Sequence, residues 1–463
     1  MPRKFLLYSV FGLLFFNALT ANAQKLSLKE AVNTALNNYG TIKAKKNYAD
    51  ASKSGVQQAK REYLPNLVLS AQQDYGTING QNGPSYGFGG FGTASSGPAL
   101  DKQNWNAAFG ALYLANVNWD FFTFGRAKQK IKVAEAAYKR DQNDLEQEKF
   151  QQEIRVSAAY LNLLAAQRLT KSQQKNLERA ITFKNTAVIR AKNGLIAGVD
   201  SSFAKAEVSN AKIALTKSQD LEQEQANRLG ILMGLTATDY TLDTASISRI
   251  PVDMLNDTTV KTNHPILKYY QNRIDVSTEQ LGYYRRLYYP SFSLFGVMQE
   301  RGSGFKSDYG LNQNAYSSNY ADGINPVRGN YLIGIGMSWN IASLLKNSPQ
   351  VKAQHYITEG LKNEYELADQ QLKAQLALAD AKLKNALSNY NEAPIQVKAA
   401  SDAYLQKSTL YKNGLTTLVD LTQALFTLNR AETDRDIAYT NVWQALLLKS
   451  AALGNYDLFI NEF

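Results

Sequence analysis

The sequence predicts an internally duplicated α+β chain in which four β-strands alternate with very long helices. Three observations predict this fold. Motifs recur in the same order in both halves, four segments show the period-two alternation of a strand, and long stretches with heptad-spaced apolar residues lack proline and glycine. We divide the chain into a signal peptide at 1–23, a first structural repeat at 24–240, a linker at 241–262 and a second repeat at 263–463.

The duplication is clearest in a short motif, Asn-Gly-Leu followed by an aspartate. Its polar and glycine positions are Asn193, Gly194 and Asp200 in the first half, and Asn413, Gly414 and Asp420 in the second, at an offset of 220 residues. Leu64-Pro65 likewise corresponds to Tyr289-Pro290 at an offset of 225. We interpret the motif as structural: the glycine ends a helix in the left-handed conformation, and the aspartate caps the next helix.

The elements follow from local signals. A capping box at Ser27 and Glu30 opens the first helix, which Pro65 stops. The four predicted strands are 66–75, 105–122, 291–299 and 331–341, each next to a polar loop, of which 76–104 and 301–329 are long. The other predicted helices are 125–171, a returning helix that reaches 235 and is interrupted at Asn193-Gly194, 265–288, and two arms after the fourth strand. Polar turns near 171–174 and 391–394 are predicted to reverse the helical arms.

Export and membrane insertion are predicted by composition. Arg3 and Lys4, an apolar run at 5–16 and Ala21-Asn22-Ala23 have the order of a secretory signal, because the run is too short to span a bilayer. The chain has no cysteine, and no later apolar stretch is long enough for a membrane helix, yet it holds 27 Tyr and 19 Phe. Strands that alternate apolar and polar residues and end in aromatics are typical of outer-membrane β-barrels. Four strands are too few to close one, so the chain must oligomerise.

Other functions find little support in the sequence. The net charge of +11 is scattered among acidic residues on helical segments, which indicates a solvated surface and no nucleic-acid site. The two histidines, His264 and His355, have no acid or nucleophile at a suggestive spacing. We therefore predict no enzymatic activity, no cofactor and no metal site.

The chain resembles the TolC-like outer-membrane factors, the outer membrane efflux protein family. The residues that carry the resemblance are Leu26–Ala31 (LSLKEA), Leu64–Leu67 (LPNL), Asn118–Phe122 (NWDFF), Phe124–Arg126 (FGR), Ala159–Gln167 (AYLNLLAAQ) and the doubled Asn-Gly-Leu motif. The resemblance implies a homotrimer in the outer membrane, with a twelve-stranded β-barrel and a long periplasmic α-helical barrel. The implied function is passive export of drugs, small molecules or proteins. The implied partners are a periplasmic adaptor and an inner-membrane transporter of the RND or ABC type, and efflux and type I secretion both stay open.

The resemblance also implies a periplasmic gate lined by carboxylates near the tip of the helices. The candidate gate residues are Asp402, which we favour, with Asp380 and Glu392. Three symmetry copies would form an electronegative ring that favours cations, whereas an outer-face position would leave the carboxylate merely solvated. The candidate adaptor contacts are the predicted turns, represented by Lys171, Gln174, Asn391 and Pro394.

A periplasmic coiled-coil scaffold or adaptor that bridges the two membranes without a pore is the main alternative. It would explain the long helices, but it would not explain four amphipathic strands with aromatic ends.

Overall fold

The computed structural model describes residues 25–80, 99–236, 240–243, 250 and 263–463. The predicted signal peptide, most of the predicted linker and the middle of the first long loop lie outside the described residues. The described chain divides into two compact units. Unit 1 holds the residues up to Asp50, Lys139–Arg273 and Leu361–Phe463, and unit 2 holds Ala51–Tyr138 and Ile274–Gly360.

The same order of elements occurs twice, as the duplicated sequence predicts. The first half contains α1 (Leu28–Asn38), α2 (Gly40–Arg61), β1 (Asn66–Thr77), β2 (Ala107–Phe122), α3 (Arg126–Lys192) and α4 (Gly198–Met233). The second half contains α5 (Pro265–Arg286), β3 (Ser291–Ser303), α6 (Tyr320–Ile324), β4 (Arg328–Ser338), α7 (Ser343–Lys346), α8 (Ser348–Lys412), α9 (Leu418–Leu453) and α10 (Asp457–Ile460). The four strands lie where the alternation predicts them, within a few residues at their ends.

The predicted turns near Lys171–Gln174 and Asn391–Pro394 are wrong. Helix α3 is continuous for 67 residues and α8 for 65, so Lys171, Gln174, Asn391 and Pro394 all lie inside helices. The physical reason is packing, because buried residues continue on both sides of each predicted turn. Proline removes one backbone hydrogen bond from a helix, and here the buried positions of α8 that flank Pro394 keep the helix intact.

Two further segments differ from the predictions. The first predicted helix divides at Tyr39, whose ψ of 125° is extended and separates α1 from α2. The second predicted long loop is partly folded: β3 extends to Ser303, Phe305 and Tyr316 form an antiparallel bridge, and α6 follows before β4.

Within unit 1 the long helices form two antiparallel hairpins. In the first, Thr170 of α3 donates a hydrogen bond to the Ser218 carbonyl of α4 at 3.1 Å, and Ala180 packs with Ala211. In the second, the rings of Tyr390 in α8 and Tyr439 in α9 stack at 4.4 Å.

The main core of unit 1 is built from α1, α3, α4, α8, α9 and the C-terminal residues. Tyr160 and Trp443 are almost completely buried in it, and the ring of Phe463 lies 5.1 Å from that of Trp443. The Tyr160 hydroxyl donates a hydrogen bond to the Leu26 carbonyl at 2.8 Å, and Leu26 forms a parallel bridge with Leu242. The chain segments before α1 and after α4 are therefore fixed to one helix, α3.

Unit 2 contains a single four-stranded antiparallel sheet in the order β1-β2-β3-β4. Each strand pairs with its neighbour in sequence, so β1 and β4 are the two edges. The helix–strand junctions lie at one end of this sheet and the segments that join β1 to β2 and β3 to β4 lie at the other.

Candidate functional site: a two-faced sheet and two helix connections

One face of the sheet is apolar. Residues directly opposite each other in an antiparallel sheet point to the same side, so the register defines each face. One cross-strand row on this apolar face consists of Leu69, Ala115, Met298 and Tyr331, and the next consists of Leu67, Val117, Gly296 and Ile333. Leu69 is 75% exposed and Ile333 is 73% exposed in the single chain. A continuous exposed apolar face of this kind requires lipid or another protein to cover it.

The opposite face, which we call the mixed face, carries polar and apolar rows. Near the helix junctions, Asn66 and Asn118 are cross-strand partners on this face, and Ser293 donates a hydrogen bond to Asp120 at 2.5 Å. The alternation in the sequence predicted polar residues on this side. The structure adds apolar residues to it, because the register also places Val68, Leu112, Leu114, Phe295, Val297 and Leu332 there.

An aromatic cluster marks the junction end of the apolar face. A β-bulge between Trp119 and Phe122 shifts the register of β2 against β3, which brings Phe122 opposite Phe292. Phe124 lies 4.8 Å from the ring of Phe122 and stacks on Tyr289 at 5.4 Å. Such a girdle is typical of the boundary between hydrocarbon and water in membrane barrels.

An equivalent hydrogen bond occurs at the helix–strand junction of each structural repeat. The indole nitrogen of Trp119 donates to the Tyr63 carbonyl at 2.8 Å, and that of Trp339 donates to the Tyr288 carbonyl at 3.0 Å. In both repeats the acceptor stands two residues before a proline. The tryptophans therefore attach the end of a strand to the end of a helix in the same way twice.

In unit 1 the helical hairpins reverse at the Asn-Gly-Leu motifs. Gly194 and Gly414 have φ of 70° and 76°, the left-handed conformation that the sequence predicted for them. In each connection the amide of the following leucine donates to a carbonyl in the last turn: Leu195 to Arg190 at 2.9 Å, and Leu415 to Leu410 at 2.9 Å. The motifs thus form the reversals themselves, where the sequence indicated only interruptions within a returning helix.

The aspartates of the motif do not occupy the predicted cap positions. Asp200 lies in the first turn of α4, whose cap residue Ala197 makes no side-chain hydrogen bond. Asp420 is the third residue of α9 and forms a capping box with the cap residue Thr417. Hydrogen bonds from Thr416 and Thr417, with Lys407 nearby, hold the pKa of the Asp420 carboxyl below its ordinary value. Both aspartates therefore act within the first turn of a helix.

The two connections pack against each other within unit 1. The guanidinium of Arg190, in the last turn of α3, lies 5.1 Å from the centre of the Tyr411 ring and donates hydrogen bonds to the carbonyls of Tyr411 and Lys412. A positive charge at the carboxyl end of α8 is electrostatically favourable. A small apolar cluster lies beneath these contacts, formed by Phe183, Ala187, Ala204, Tyr411, Leu418 and Leu421. Sequence reasoning missed Arg190, which has no equivalent at position 410 of the second repeat.

Exposed apolar side chains surround both connections. Leu195 is 65% exposed and its counterpart Leu415 is 72% exposed, and Val199 and Val419 repeat the pattern. The recurrence of apolar residues at equivalent exposed positions was present in the duplicated motif and could have indicated a surface there.

The structure separates the three candidate gate residues along α8. Asp402 is exposed and lies about 15 Å before the end of the helix at Lys412, and Glu392 lies a further ~15 Å back. Asp380 is farther still from that end and forms an ion pair with Lys449 at 3.1 Å. The Lys449 side chain is only 2% exposed. Of the three, Asp402 is nearest to a helix connection and Asp380 is tied to a structural partner.

The histidines have structural surroundings. His264 is fully buried; its Nδ1 accepts from the amide of Ile266, so Nε2 carries the proton and donates to the Ala451 carbonyl at 3.1 Å. Burial lowers the pKa of His264, and the hydrogen bond to Ala451 opposes that shift. His355 is exposed on α8. Among the described residues, no three His, Cys, Asp or Glu side chains form a group that could hold a metal ion.

Known proteins match this sequence and fold. Residues 31–235 match the family described as outer membrane efflux protein. No curated protein matches the sequence. None of the helices in the described part of the chain is long and apolar enough to cross a membrane.

Solved outer-membrane channels have the same fold. The outer-membrane channel OprN aligns with a TM-score of 0.71 at 16% identity, over 92% of this chain and 90% of its own. CusC aligns with a TM-score of 0.75 at 14% identity, over 92% of each chain. The outer membrane protein VceC of Vibrio cholerae aligns with a TM-score of 0.72 at 16% identity, over 92% of this chain and 96% of its own.

These matches agree with the two faces of the sheet. The chain shares with these channels a four-stranded antiparallel sheet and long antiparallel helices. The family is one of transport channels and is not an enzyme family.

Proposed function

We propose that three copies of this chain form the outer-membrane exit duct of a tripartite efflux pump or a type I secretion system. The duct would export drugs, small molecules or proteins passively, because energy would be supplied by an inner-membrane transporter of the RND or ABC type. A periplasmic adaptor would connect that transporter to the duct.

The observation that carries this proposal is a sheet with one apolar face and two unpaired edges. Within the described residues, β1 and β4 each have one edge with no neighbouring strand. Backbone N–H and C=O groups left unpaired at such an edge cost several kcal/mol each in hydrocarbon. Pairing β4 of one copy with β1 of the next removes every edge once the ring closes. Three copies of four strands give twelve, within the range of outer-membrane barrels, and a scaffold without a pore would have no need for such a sheet.

We place the gate of the duct at the helix connections and keep Asp402 as its candidate carboxylate. Asp402 is exposed and lies within about three turns of the α8–α9 connection. Three copies would create a ring that favours cations. The contacts of Arg190 with α8 would hold the connections together in the resting state.

Current across a planar lipid bilayer tests the duct. Purified trimers should give small, discrete, cation-favouring steps, and Arg190→Ala should enlarge them by loosening the connections. Asp402→Ala should reduce the cation preference and the block by divalent cations. Silence from both the wild type and Arg190→Ala, with insertion verified by protease protection, would reject the pore and favour the scaffold.

We place the adaptor contact on the exposed apolar residues of the two connections, Leu195 and Leu415. Leu195→Asp combined with Leu415→Asp should abolish drug export in cells while leaving trimers and bilayer current intact. Lys171→Asp is the matched control, because Lys171 is exposed in the middle of α3. Export that survives the leucine changes, or fails equally in the control, would place the adaptor contact elsewhere.

A further inference from the structure

Two arginines face each other on the mixed face of the sheet. Arg301 near the end of β3 and Arg328 at the start of β4 are direct cross-strand partners. Their Cβ atoms are therefore about 5 Å apart on the same side, where like charges oppose each other and destabilise the pairing. Both residues are exposed.

No carboxylate relieves this repulsion within the described part of the chain. Neither arginine takes part in an ion pair there. Glu300 precedes Arg301 in β3 and so points to the opposite face. Asp74 is on β1, two strands away from Arg301, and accepts a hydrogen bond from Gln72 at 2.8 Å. An uncompensated pair of like charges destabilises the sheet unless a negatively charged group binds to it.

The residues next to the arginines are apolar or neutral. Leu112 of β2 is the other cross-strand partner of Arg301. The next row toward the helix junctions contains Ser70, Leu114, Gln299 and Asn330, and the row beyond it contains Val68, Asn116, Val297 and Leu332. Beyond these, the ring of Phe295 covers the backbone of β4 at Gly334, where a Cβ atom would come within 2.6 Å of it. Leu112 and Leu114 of β2, with Val68, Val297 and Leu332 in the row beyond, form an apolar band that is interspersed with neutral polar side chains. The two positive charges border this band.

We propose that this surface binds amphipathic organic anions, with the acidic group on Arg301 and Arg328 and the apolar body on the band at Leu112, Leu114 and Val297. Guanidinium groups bind carboxylates, sulfonates and phosphates through paired N–H donors. The inference rests on the proposed duct, in which the apolar face contacts lipid and the mixed face lines the lumen. Three copies then place six arginines around the lumen, at the end of the sheet away from the helix junctions.

Binding to trimers in phosphatidylcholine nanodiscs tests the inference without requiring an open gate. The probes are 1-naphthalenesulfonate and 1-naphthyltrimethylammonium, which share a ring system and differ in charge, and equilibrium dialysis against empty nanodiscs measures each. The wild type should bind the sulfonate at least about 10-fold more tightly, and the preference should fall as salt is raised. R301Q/R328Q should abolish the preference and raise the melting temperature, because the like-charge pair is gone.

Two control variants separate charge from position. R285Q/K306Q removes two positive charges from outside the sheet and should keep the preference. Leu114→Asn should weaken both probes by a similar factor, because it alters the apolar band and leaves the arginines in place.

Four results would overturn the inference. They are equal binding of both probes by the wild type, a preference that survives R301Q/R328Q, its equal loss in R285Q/K306Q, and a preference that appears only when lipopolysaccharide is added. A drop in trimer stability for R328Q, with binding unchanged, would assign Arg328 to an ion pair with Asp74 of the neighbouring copy instead. Failure to form trimers would reject the proposed duct itself, whereas intact trimers without sulfonate preference reject only this inference.

Discussion

The indole of Trp119 connects the end of β2 to the segment that follows α2, and the indole of Trp339 connects the end of β4 to the segment that follows α5. Each donates one hydrogen bond to a tyrosine carbonyl, at 2.8 Å and 3.0 Å. Trp119→Phe and Trp339→Phe keep an aromatic ring but remove the donor, which should cost about 1 kcal/mol each. Because the two contacts are in different repeats, the double variant should show close to the sum.

The thermal unfolding of trimers, followed by their mobility in detergent gels, measures this effect. Trp105→Phe is the control, since Trp105 is 80% exposed. Equal melting temperatures for the wild type and the double variant would show that the two hydrogen bonds do not hold the junction.

Glu153 should make the stability of unit 1 depend on pH. Burial, and secondly the charge of Asp457, raise the pKa of Glu153 from about 4.5 to about 7. A carboxyl with a raised pKa favours the folded state below its unfolded pKa, and this contribution is lost as the pH rises from 4.5 through 7. Allowing for the partial exposure of the side chain, the loss should be about 1–2 kcal/mol.

Glu153→Gln should remove this dependence and raise the melting temperature at pH 8, as measured by circular dichroism from pH 5 to 8. Glu146→Gln serves as a comparison, because Glu146 has only a secondary effect on Glu153. A wild-type melting curve that does not change across this range, or an unchanged slope in Glu153→Gln, would contradict the account.

At the scale of elements, the hairpin reversals depend on two glycines with positive φ. Gly414→Ala should cost about 1–2 kcal/mol, because a Cβ atom there requires a left-handed alanine and would lie 3.1 Å from the Arg190 guanidinium. Limited proteolysis should then cleave the α8–α9 connection faster. Gly198→Ala, in the first turn of α4 with open space around it, should resist proteolysis like the wild type. Equal cleavage of both variants would mean that the left-handed turn does not control the connection.

The two hairpins of unit 1 are further joined by an ion pair between α3 and α9. Arg179 contacts both oxygens of Glu432, at 2.7 Å and 3.2 Å, and both side chains are less than 20% exposed. Removing either partner should cost about 3 kcal/mol, because the other charge is left without a partner, while R179A/E432A should cost less than the sum. Urea unfolding of the two single variants and the double variant gives the coupling energy. A coupling near zero would show that the pair adds nothing to hairpin association.

Strand positions were predictable from the sequence because side chains of different chemistry alternate along parts of each strand, as large apolar residues and glycines do over Ile333–Met337 of β4. The positions of the hairpin reversals were not predictable, because small and polar residues also occur where the long helices pack against each other. Ser172, Gln173 and Asn176 are buried in α3, at the place where their polarity had indicated a turn. Pro394 was misleading for the same reason: packing of the long helix outweighs one missing hydrogen bond.

The candidate site could be predicted only in part. The doubled motif indicated the left-handed glycines, but the role of Arg190 depends on contacts between segments more than 200 residues apart, which no local pattern reveals. The pairing of Arg301 with Arg328 depends on the register of β3 against β4, which is set by the whole sheet.

At the scale of the whole molecule, the central claim is that three copies close one barrel by pairing β4 of each copy with β1 of the next. The chain contains no cysteine, so introduced cysteines report this pairing without interference. One cysteine should replace an apolar-face residue of β1, such as Leu67 or Leu69, and the other an apolar-face residue of β4, such as Tyr331 or Ile333. Single-cysteine variants are the controls, because a lone cysteine on either edge has no partner across the β4–β1 contact.

The most direct measurement is oxidation of such double-cysteine variants in isolated outer membranes, followed by non-reducing denaturing gels. The account predicts that at least one β1–β4 combination gives covalent dimers and trimers and nothing larger, because the ring closes at three. Monomers alone from every combination, or a ladder that continues beyond the trimer, would contradict a closed trimeric barrel.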